Sequence, residues 1–404
     1  MKNIPEIRIK GFEGEWKEKL IGDISDSFSG GTPNAHEPSY YGGKIPFIRS
    51  GEIGSNKTEL FLTDKGYQNS SAKIVEKGTL LYALYGATSG EVAISNINGA
   101  INQAILAIYP HKGYDSVFMH YWLKANKKDI ISTYLQGGQG NLSGELVKSI
   151  KILFPNLAEQ QSLGSFFSSF DRLLSDHHRR LENLRRVKKS MLQKMFPQQG
   201  QTVPELRFTG FSGEWEKAKL STFLEVSEEK NSDNFYGIED VLSVSGDYGV
   251  VNQIEFQGRS FAGASVAGYG VAETGDVIYT KSPLKSNPYG IIKTNKGKPG
   301  IVSVLYGVYH PIKGRTDSSF VQTYFESDAR LNNYLRVLIN KGSKNTLLIS
   351  DEDALRGEVC FPSYEEQQRL SSFFTSLDNL INDDVNYIDQ LTRVKSTLLQ
   401  KMFV

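Results

Sequence analysis

The sequence predicts an α+β fold: two globular domains related by a pseudo-twofold axis and separated by two long antiparallel coiled-coil helices. Three observations predict it. The chain is written twice. Each copy ends in a long proline-free segment with heptad spacing. The stretches between these segments mix short alternating strands with Gly-rich turns, the pattern of an α+β domain.

The repeat is read directly. Pro5-Glu6-Ile7-Arg8-Ile9-Lys10-Gly11-Phe12-Glu13-Gly14-Glu15-Trp16 returns as Pro204-Glu205-Leu206-Arg207-Phe208-Thr209-Gly210-Phe211-Ser212-Gly213-Glu214-Trp215. A second block matches better still. Phe154-Pro155, Glu159-Gln160-Gln161, Phe166-Phe167, Asp171, Arg186-Val187-Lys188 and Leu192-Gln193-Lys194-Met195-Phe196 return as Phe361-Pro362, Glu366-Gln367-Gln368, Phe373-Phe374, Asp378, Arg393-Val394-Lys395 and Leu399-Gln400-Lys401-Met402-Phe403, with about half of the aligned positions identical. The order is therefore variable unit, repeated unit, variable unit, repeated unit, with boundaries at 1–157, 158–200, 201–361 and 362–404. Trp16 and Trp215, identical in the two copies, are expected as core anchors, since a shared ring cannot give two halves different specificities.

The first variable unit reads as strands at Thr79–Tyr82 and Ile105–Ile108, and as helix from Val117 to Gln136, with Phe118, Tyr121, Trp122, Ile130 and Ile131 on its apolar face. The second carries a fainter copy of the same plan. Ala272-Glu273-Thr274-Gly275-Asp276-Val277-Ile278-Tyr279 echoes Val75-Glu76-Lys77-Gly78-Thr79-Leu80-Leu81-Tyr82, and a helical stretch runs from about Phe320 to Leu338.

In the first helical segment, Leu163, Phe167, Phe170, Leu174, Leu181, Leu184, Met191 and Met195 step by four and three, the coiled-coil period. His177 and Lys188 fill the remaining seam positions. The second segment keeps the register with Leu370, Phe374, Leu377, Ile381, Ile388, Leu391, Leu398 and Met402, and with Asp384 and Lys395 as its polar positions. A helix of ~39 residues is ~58 Å long. A pseudo-twofold axis perpendicular to the helices makes them antiparallel with their midpoints meeting. Two arrangements of the central His177 and Asp384 stay open: facing each other as a register-fixing ion pair, or both leaning out to solvent.

Composition narrows the function. Lys+Arg numbers 46 and Asp+Glu 45, so the whole-chain charge of +1 neither suggests nor excludes nucleic acid. The single cysteine, Cys360, allows neither an internal disulfide nor a Cys-x-x-Cys zinc pair. Met1-Lys2-Asn3-Ile4-Pro5 lacks a signal-peptide core, no apolar run approaches the roughly 20 residues that span a bilayer, and a cytoplasmic location is expected. There is no Gly-x-x-x-x-Gly-Lys-Ser/Thr phosphate loop and no His-Glu-x-x-His zinc helix. Asn287-Pro288-Tyr289 lacks the second proline of a methyltransferase motif and reads as a turn. No catalytic residue and no metal ligand is expected.

Several loops offer side chains suited to base edges. Arg49, Ser50 and Glu52 stand at a strand end; arginine pairs with guanine and a carboxylate accepts from cytosine. Tyr85 and Thr88 lie in a Gly-rich turn able to approach DNA closely. Asn102 and Gln103, and Gln139 and Asn141, carry amides of the kind that pair with adenine. The second unit offers Lys281, Lys285, Asn287, Lys344 and Asn345.

With the Gly-Phe-x-Gly-Glu-Trp openings, the Pro-x-x-x-Glu-Gln-Gln helix entries at Pro155 and Pro362, the Leu-Gln-Lys-Met-Phe ends, and Gly30-Gly31-Thr32-Pro33 followed by Ile45-Pro46-Phe47-Ile48, the whole chain resembles the specificity (S) subunits of type I restriction–modification systems. The resemblance implies that each variable unit is a target recognition domain reading one half of a split site in double-stranded DNA. It implies that the helices set the spacing and bind two modification (M) subunits, and that restriction (R) subunits join them. It implies adenine-N6 methylation from S-adenosylmethionine, with ATP and Mg used by the partner subunits and no cofactor bound by this chain. A ~58 Å helix matches about 17 base-pair steps, and one heptad added to both helices is expected to lengthen the unread spacer by up to ~3 base pairs. Two other readings remain: a stand-alone regulator using the same pseudo-dimeric geometry on a split operator, and a protein scaffold that does not bind DNA.

Overall fold

The structure is a computed structural model that describes residues 3–134, 141–284, 287–341 and 347–403. It divides into two compact units. The first comprises Met1–His178 and Asn386–Val404, and the second Arg179–Val385. Each unit holds one α+β body, the first part of one long helix and the last part of the other. Among the described residues no helix is long and apolar enough to cross a membrane.

In the first unit, the strand Lys17–Leu20 after Trp16 pairs antiparallel with Lys151–Phe154, which leads into the first long helix. An antiparallel sheet follows in the order Ser25–Ser29, Ile105–Pro110, Leu80–Ala83, Val92–Ile94. Its central strands are continuous apolar runs because both faces are covered. Alternation divides them cleanly. Leu80, Tyr82, Leu106 and Ile108 join the main core with Trp16 and the helix Ser116–Ala125. Leu81, Ala83, Ile105 and Ala107 face a second core with Ile48, Val75 and Ile101. That core lies under a second sheet, in the order Leu60–Leu62, Tyr41–Ile48, Gly99–Ile101, Lys73–Val75, whose middle pair is parallel. The helix Ser116–Ala125 starts where the Asp115 carboxylate accepts from the Phe118 amide at 2.7 Å, an N-cap.

The second unit repeats this plan. Glu216–Lys219 pairs with Glu358–Phe361, and Leu224–Val226, Tyr306–Pro311, Val277–Thr280 and Ile292–Thr294 form the antiparallel sheet in the same order. Val277 and Tyr279 face the main core and Ile278 the smaller one. The parallel contact shrinks to one bridge, Val241 to Ile301. The sequence echo before the central strand is one tight turn made twice. Gly78 at φ 97° and Gly275 at φ 100° take a conformation that L side chains rarely adopt, and Thr79 and Asp276 donate to Glu76 O and Glu273 O at 3.1 and 3.2 Å.

The long helices span Leu157–Lys194 and Tyr364–Met402. Asn156 Oδ1 opens the first by accepting from the Glu159 amide at 3.0 Å. Every predicted seam position on both helices is buried or half-buried. The helix segments run antiparallel within each unit. In the first unit Phe167 meets Phe403, Asp171 meets Lys395 and His177 meets Tyr387. In the second, Arg180 meets Asp384, Lys188 meets Asp378 and Phe196 meets Phe374. The repeated Met-Phe ends are core plugs. Phe403 packs edge-on to Trp16 at 6.4 Å, and Phe196 edge-on to Trp215 at 5.9 Å. Both tryptophans are core residues, 1% and 2% exposed.

The repeated Glu-Gln-Gln entry is explained by two tethers. Glu159 and Glu366 clamp Arg8 and Arg207, which stand in the repeated opening of each half. Gln160 accepts from the Asp115 amide at 2.9 Å and donates to Pro155 O at 2.9 Å. Gln367 does the same with Asp317 and Pro362, both at 3.0 Å. The long helix is thereby fixed to the short helix that Asp115 or Asp317 caps in its own unit.

Candidate nucleic-acid interface

Five strand ends of the first unit converge at one place. Gly31 N–H donates to Ile101 O at 3.2 Å, and Asn102 N–H to Ile48 O at 3.3 Å. These bonds bring Gly30–Pro33, Arg49–Glu52 and Asn102–Gln103 side by side. Leu84 N–H donates to Ala104 O at 2.8 Å, and Leu142 N–H to Leu84 O at 2.9 Å. Tyr85–Thr88 and Asn141 therefore join the same cluster, and Asn141 Oδ1 accepts from the Gly86 amide at 3.5 Å. Residues scattered from Thr32 to Asn141 form one polar loop end, held by backbone bonds rather than by side-chain packing.

The side chains within it differ in freedom. Arg49 Nε and Nη2 donate to Glu52 at 3.1 and 3.2 Å, and Nη2 also to Glu59 at 2.5 Å. The two carboxylates hold its guanidinium above the ordinary arginine pKa. Glu52 is spent inside the turn, accepting from the amides of Arg49 and Glu59 at 3.1 and 3.0 Å as well as from the guanidinium. Burial opposes its charge, and the bonds from Arg49 and the amides outweigh burial and lower its pKa. Glu52 thus orients Arg49, which keeps a 40% exposed side chain. Ser50 begins the short helical turn Ser50–Glu52. Asn102 Oδ1 accepts from the Ala104 amide at 3.2 Å, closing the turn. Gln103 is exposed and its Oε1 accepts from Thr32 Oγ1. Tyr85 is 37% exposed, and Thr88 donates to Tyr85 O at 3.3 Å.

In the second unit, Lys281 leaves the central strand and pairs with Asp351 at 2.8 Å. Asn287 is turned inward, 6% exposed, and donates to Asp328 at 2.8 Å. Neither bond is readable from sequence, because the partners lie 70 and 41 residues away. Gln139, Lys285, Lys344 and Asn345 lie outside the described residues. On the helices, Asp384 is 3% exposed and ion-pairs with Arg180 at 3.3 Å, while the His177 ring packs against Tyr387 at 4.5 Å between centroids.

Sequence reasoning singled out nothing at Ser303–Leu305, the turn that enters the strand Tyr306–Pro311 of the second unit. Lys281 N–H donates to Leu305 O at 2.8 Å, as Leu84 N–H does to Ala104 O. Carrying the echo of the two halves forward from the strand Val277–Thr280 would have placed this turn opposite Asn102–Ala104. Among the described residues no group of three or more His, Cys, Asp or Glu side chains is arranged to hold a metal ion.

The fold defines a class: a duplicated α+β protein built on paired long helices. A type I restriction modification DNA specificity domain matches residues 13–186. The chain is 28% identical over 190 residues to the type I restriction enzyme MjaIX specificity subunit of Methanocaldococcus jannaschii, covering 45% of this chain and 44% of that one. It is 24% identical over 170 residues to the EcoR124I/EcoR124II specificity subunit of Escherichia coli, covering 40% and 42%. The chain thus spans under half the length of these two relatives. The crystal structure of a type I restriction–modification S subunit from M. genitalium matches the fold over 99% of both chains with a TM-score of 0.64 at 16% identity. Residues 13–186 thus match the type I restriction modification DNA specificity domain, and the whole chain shares the fold of a solved S subunit.

Proposed function

We propose that this chain is the non-catalytic DNA-specificity subunit of a cytoplasmic type I restriction–modification complex. Each α+β unit reads one half of a bipartite duplex site. The helix pair sets the unread spacing and docks two methyltransferase (M) subunits that methylate adenine N6 from S-adenosylmethionine. Restriction (R) subunits add cleavage driven by ATP and Mg. The chain itself carries no cofactor.

One observation supports this reading above the rest. The scaffold is built twice on one plan, with the clamp and the helix tether repeated bond for bond, yet the loop ends it presents differ in side chain. Like frames with unlike tips suit a split, asymmetric site, because phosphate contacts position a protein and base-edge contacts specify the sequence. Arg49, aimed by Glu52, and the exposed amide of Gln103 are the base-edge candidates of the first unit, and Lys281 is the cationic candidate of the second.

The test is single-molecule sequencing of host DNA with the gene intact and deleted. The expected result is loss of N6-methyladenine at one bipartite motif on deletion. Methylation unchanged at every motif, in a host with no second specificity gene, would overturn the reading.

A further inference from the structure

The turn Ser303–Leu305 repeats Asn102–Ala104 bond for bond. In the first unit, Ile105 N–H donates to Asn102 O at 3.2 Å, Ala104 N–H to Asn102 Oδ1 at 3.2 Å, and Leu84 N–H to Ala104 O at 2.8 Å. In the second, Tyr306 N–H donates to Ser303 O at 3.0 Å, Leu305 N–H to Ser303 Oγ at 3.4 Å, and Lys281 N–H to Leu305 O at 2.8 Å. Val304 therefore stands in its unit where Gln103 stands in the other.

The chemistry at that position is inverted. Gln103 presents an amide, whereas Val304 presents an isopropyl group 69% exposed, with Leu305 beside it at 54%. Isolated exposed apolar residues are ordinary. Two in succession at the tip of a hydrogen-bonded turn, where the sister unit carries a base-reading candidate, are not placed there by their own unit's core. An isopropyl group has no donor for phosphate. The one apolar group that a base edge shows in the major groove is the thymine methyl.

We propose that Val304, backed by Leu305, reads the 5-methyl group of a thymine in the half-site of the second unit. This rests on the reading that each unit contacts one half-site. The turn is held at both ends by backbone bonds, so the methyl contact needs no reordering of the loop on binding.

The experiment titrates the assembled complex with duplexes of its methylated site in which single thymines are replaced by 2′-deoxyuridine. That base keeps the hydrogen-bonding edge of thymine and lacks the methyl. At one position in one half-site, the replacement is expected to weaken binding about fourfold, the worth of one buried methyl group. Val304→Gln is expected to abolish that difference and leave the other half-site untouched. Its side chain is exposed, so the fold is retained. Equal affinity for thymine and uracil at every position overturns the inference, as does a difference that survives in Val304→Gln. Weaker binding of Val304→Gln by one factor on both duplexes also overturns it. A wild-type complex with no sequence-dependent DNA binding would bring down the half-site reading itself, a result distinct from all of these.

Discussion

Arg8 grips Glu159 through two hydrogen bonds of 2.8 and 2.7 Å, and its other donors bond Gly14 O and Glu13 O at 2.6 and 2.9 Å. Arg207 and Glu366 repeat the grip at 2.7 and 2.6 Å. Glu159 and Glu366 are 0% and 1% exposed. The two repeated blocks of the sequence thus meet in one device, a bidentate pair that fastens the opening segment of each half to the start of its long helix.

Removing one partner of such a pair leaves a charge buried alone. Arg8→Ala is expected to destabilise the first unit by about 3 kcal/mol, read as a shift in urea midpoint. Replacing both members with Met and Leu is expected to cost less than Arg8→Ala alone, because no orphaned carboxylate remains. A single-mutant loss under about 1 kcal/mol would place the pair with ordinary surface ion pairs.

The helix seam was legible in the sequence because burial along a coiled coil has one period, and a run of 39 residues states it many times over. The clamp was not. Arg8 and Glu159 lie 151 residues apart, and identity between the two copies marks both without saying that they touch. The loop cluster was half legible. Arg49, Asn102 and Gln103 were singled out by side-chain type, but only the ladder bonds at Ile48 and Ile101 bring them together. Glu52 was assigned to base reading on type alone, and the structure engages it with its own turn. Val304 is not legible in the sequence, because an apolar residue in a loop carries no chemical motif. Its meaning comes from the position it shares with Gln103.

His120 supplies a pH dependence. Burial lowers its pKa to about 4, with Lys124 adding to the effect and Asp171 opposing it. Its Nδ1 is buried without a hydrogen-bond partner among the described residues. The folded value lies below the ordinary 6.5, so the unfolded chain binds the proton more readily. The contribution to stability is complete above about pH 6.5 and is lost as pH falls through about 4. The loss expected across that window is up to about 3 kcal/mol. Asp171 is also held low, by bonds from Lys395 and Tyr121 that outweigh its burial, but its contribution fades only below the ordinary carboxylate range. Urea midpoints at pH 7 and pH 4.5 should separate for the wild type and converge for His120→Leu. Equal separation in both would remove His120 as the cause.

Lys188 and Lys395 hold the same place in their helices and keep different company. Lys188 pairs with Asp378 and with Glu326 of the second α+β body. Among the described residues Lys395 pairs with one carboxylate, Asp171, which also accepts from Tyr121 at 2.6 Å. Burial opposes both charges. The two carboxylates override it at Lys188, whose pKa is raised, and the single one does not at Lys395, whose pKa is lowered. Lys188→Met leaves two carboxylates facing each other, whereas Lys395→Met leaves one still bonded to a tyrosine. The first is expected to cost about 3 kcal/mol and the second about half that. The sign with pH is opposite too. The Lys188 contribution is full below the ordinary lysine value of about 10.5 and falls as pH rises through its raised folded value, while Lys395 loses a penalty over the range beneath 10.5. Urea midpoints of the two variants between pH 8 and 11 read both effects.

On the proposed function, exchange of residues 30–150 for the equivalent stretch of a type I specificity subunit is expected to change one half-site and leave the other intact. The structure adds a condition. That stretch contains Asp115, which caps the helix Ser116–Ala125 and gives its amide to Gln160, and Tyr121, which donates to Asp171 on the first long helix. Asp317 and Gln367 make the same join in the second unit, where Glu326 replaces the tyrosine as the contact to the helix pair. A donor that keeps an N-cap aspartate and a partner for Lys395 or Asp171 should dock on the resident helices and transfer its half-site whole. A donor lacking the aspartate loses a cap and a tether, about 1 kcal/mol each, and should give a complex that methylates weakly at 37 °C. Methylome sequencing of both chimaeras measures the outcome. A change in both half-sites would mean that recognition is not partitioned between the two units.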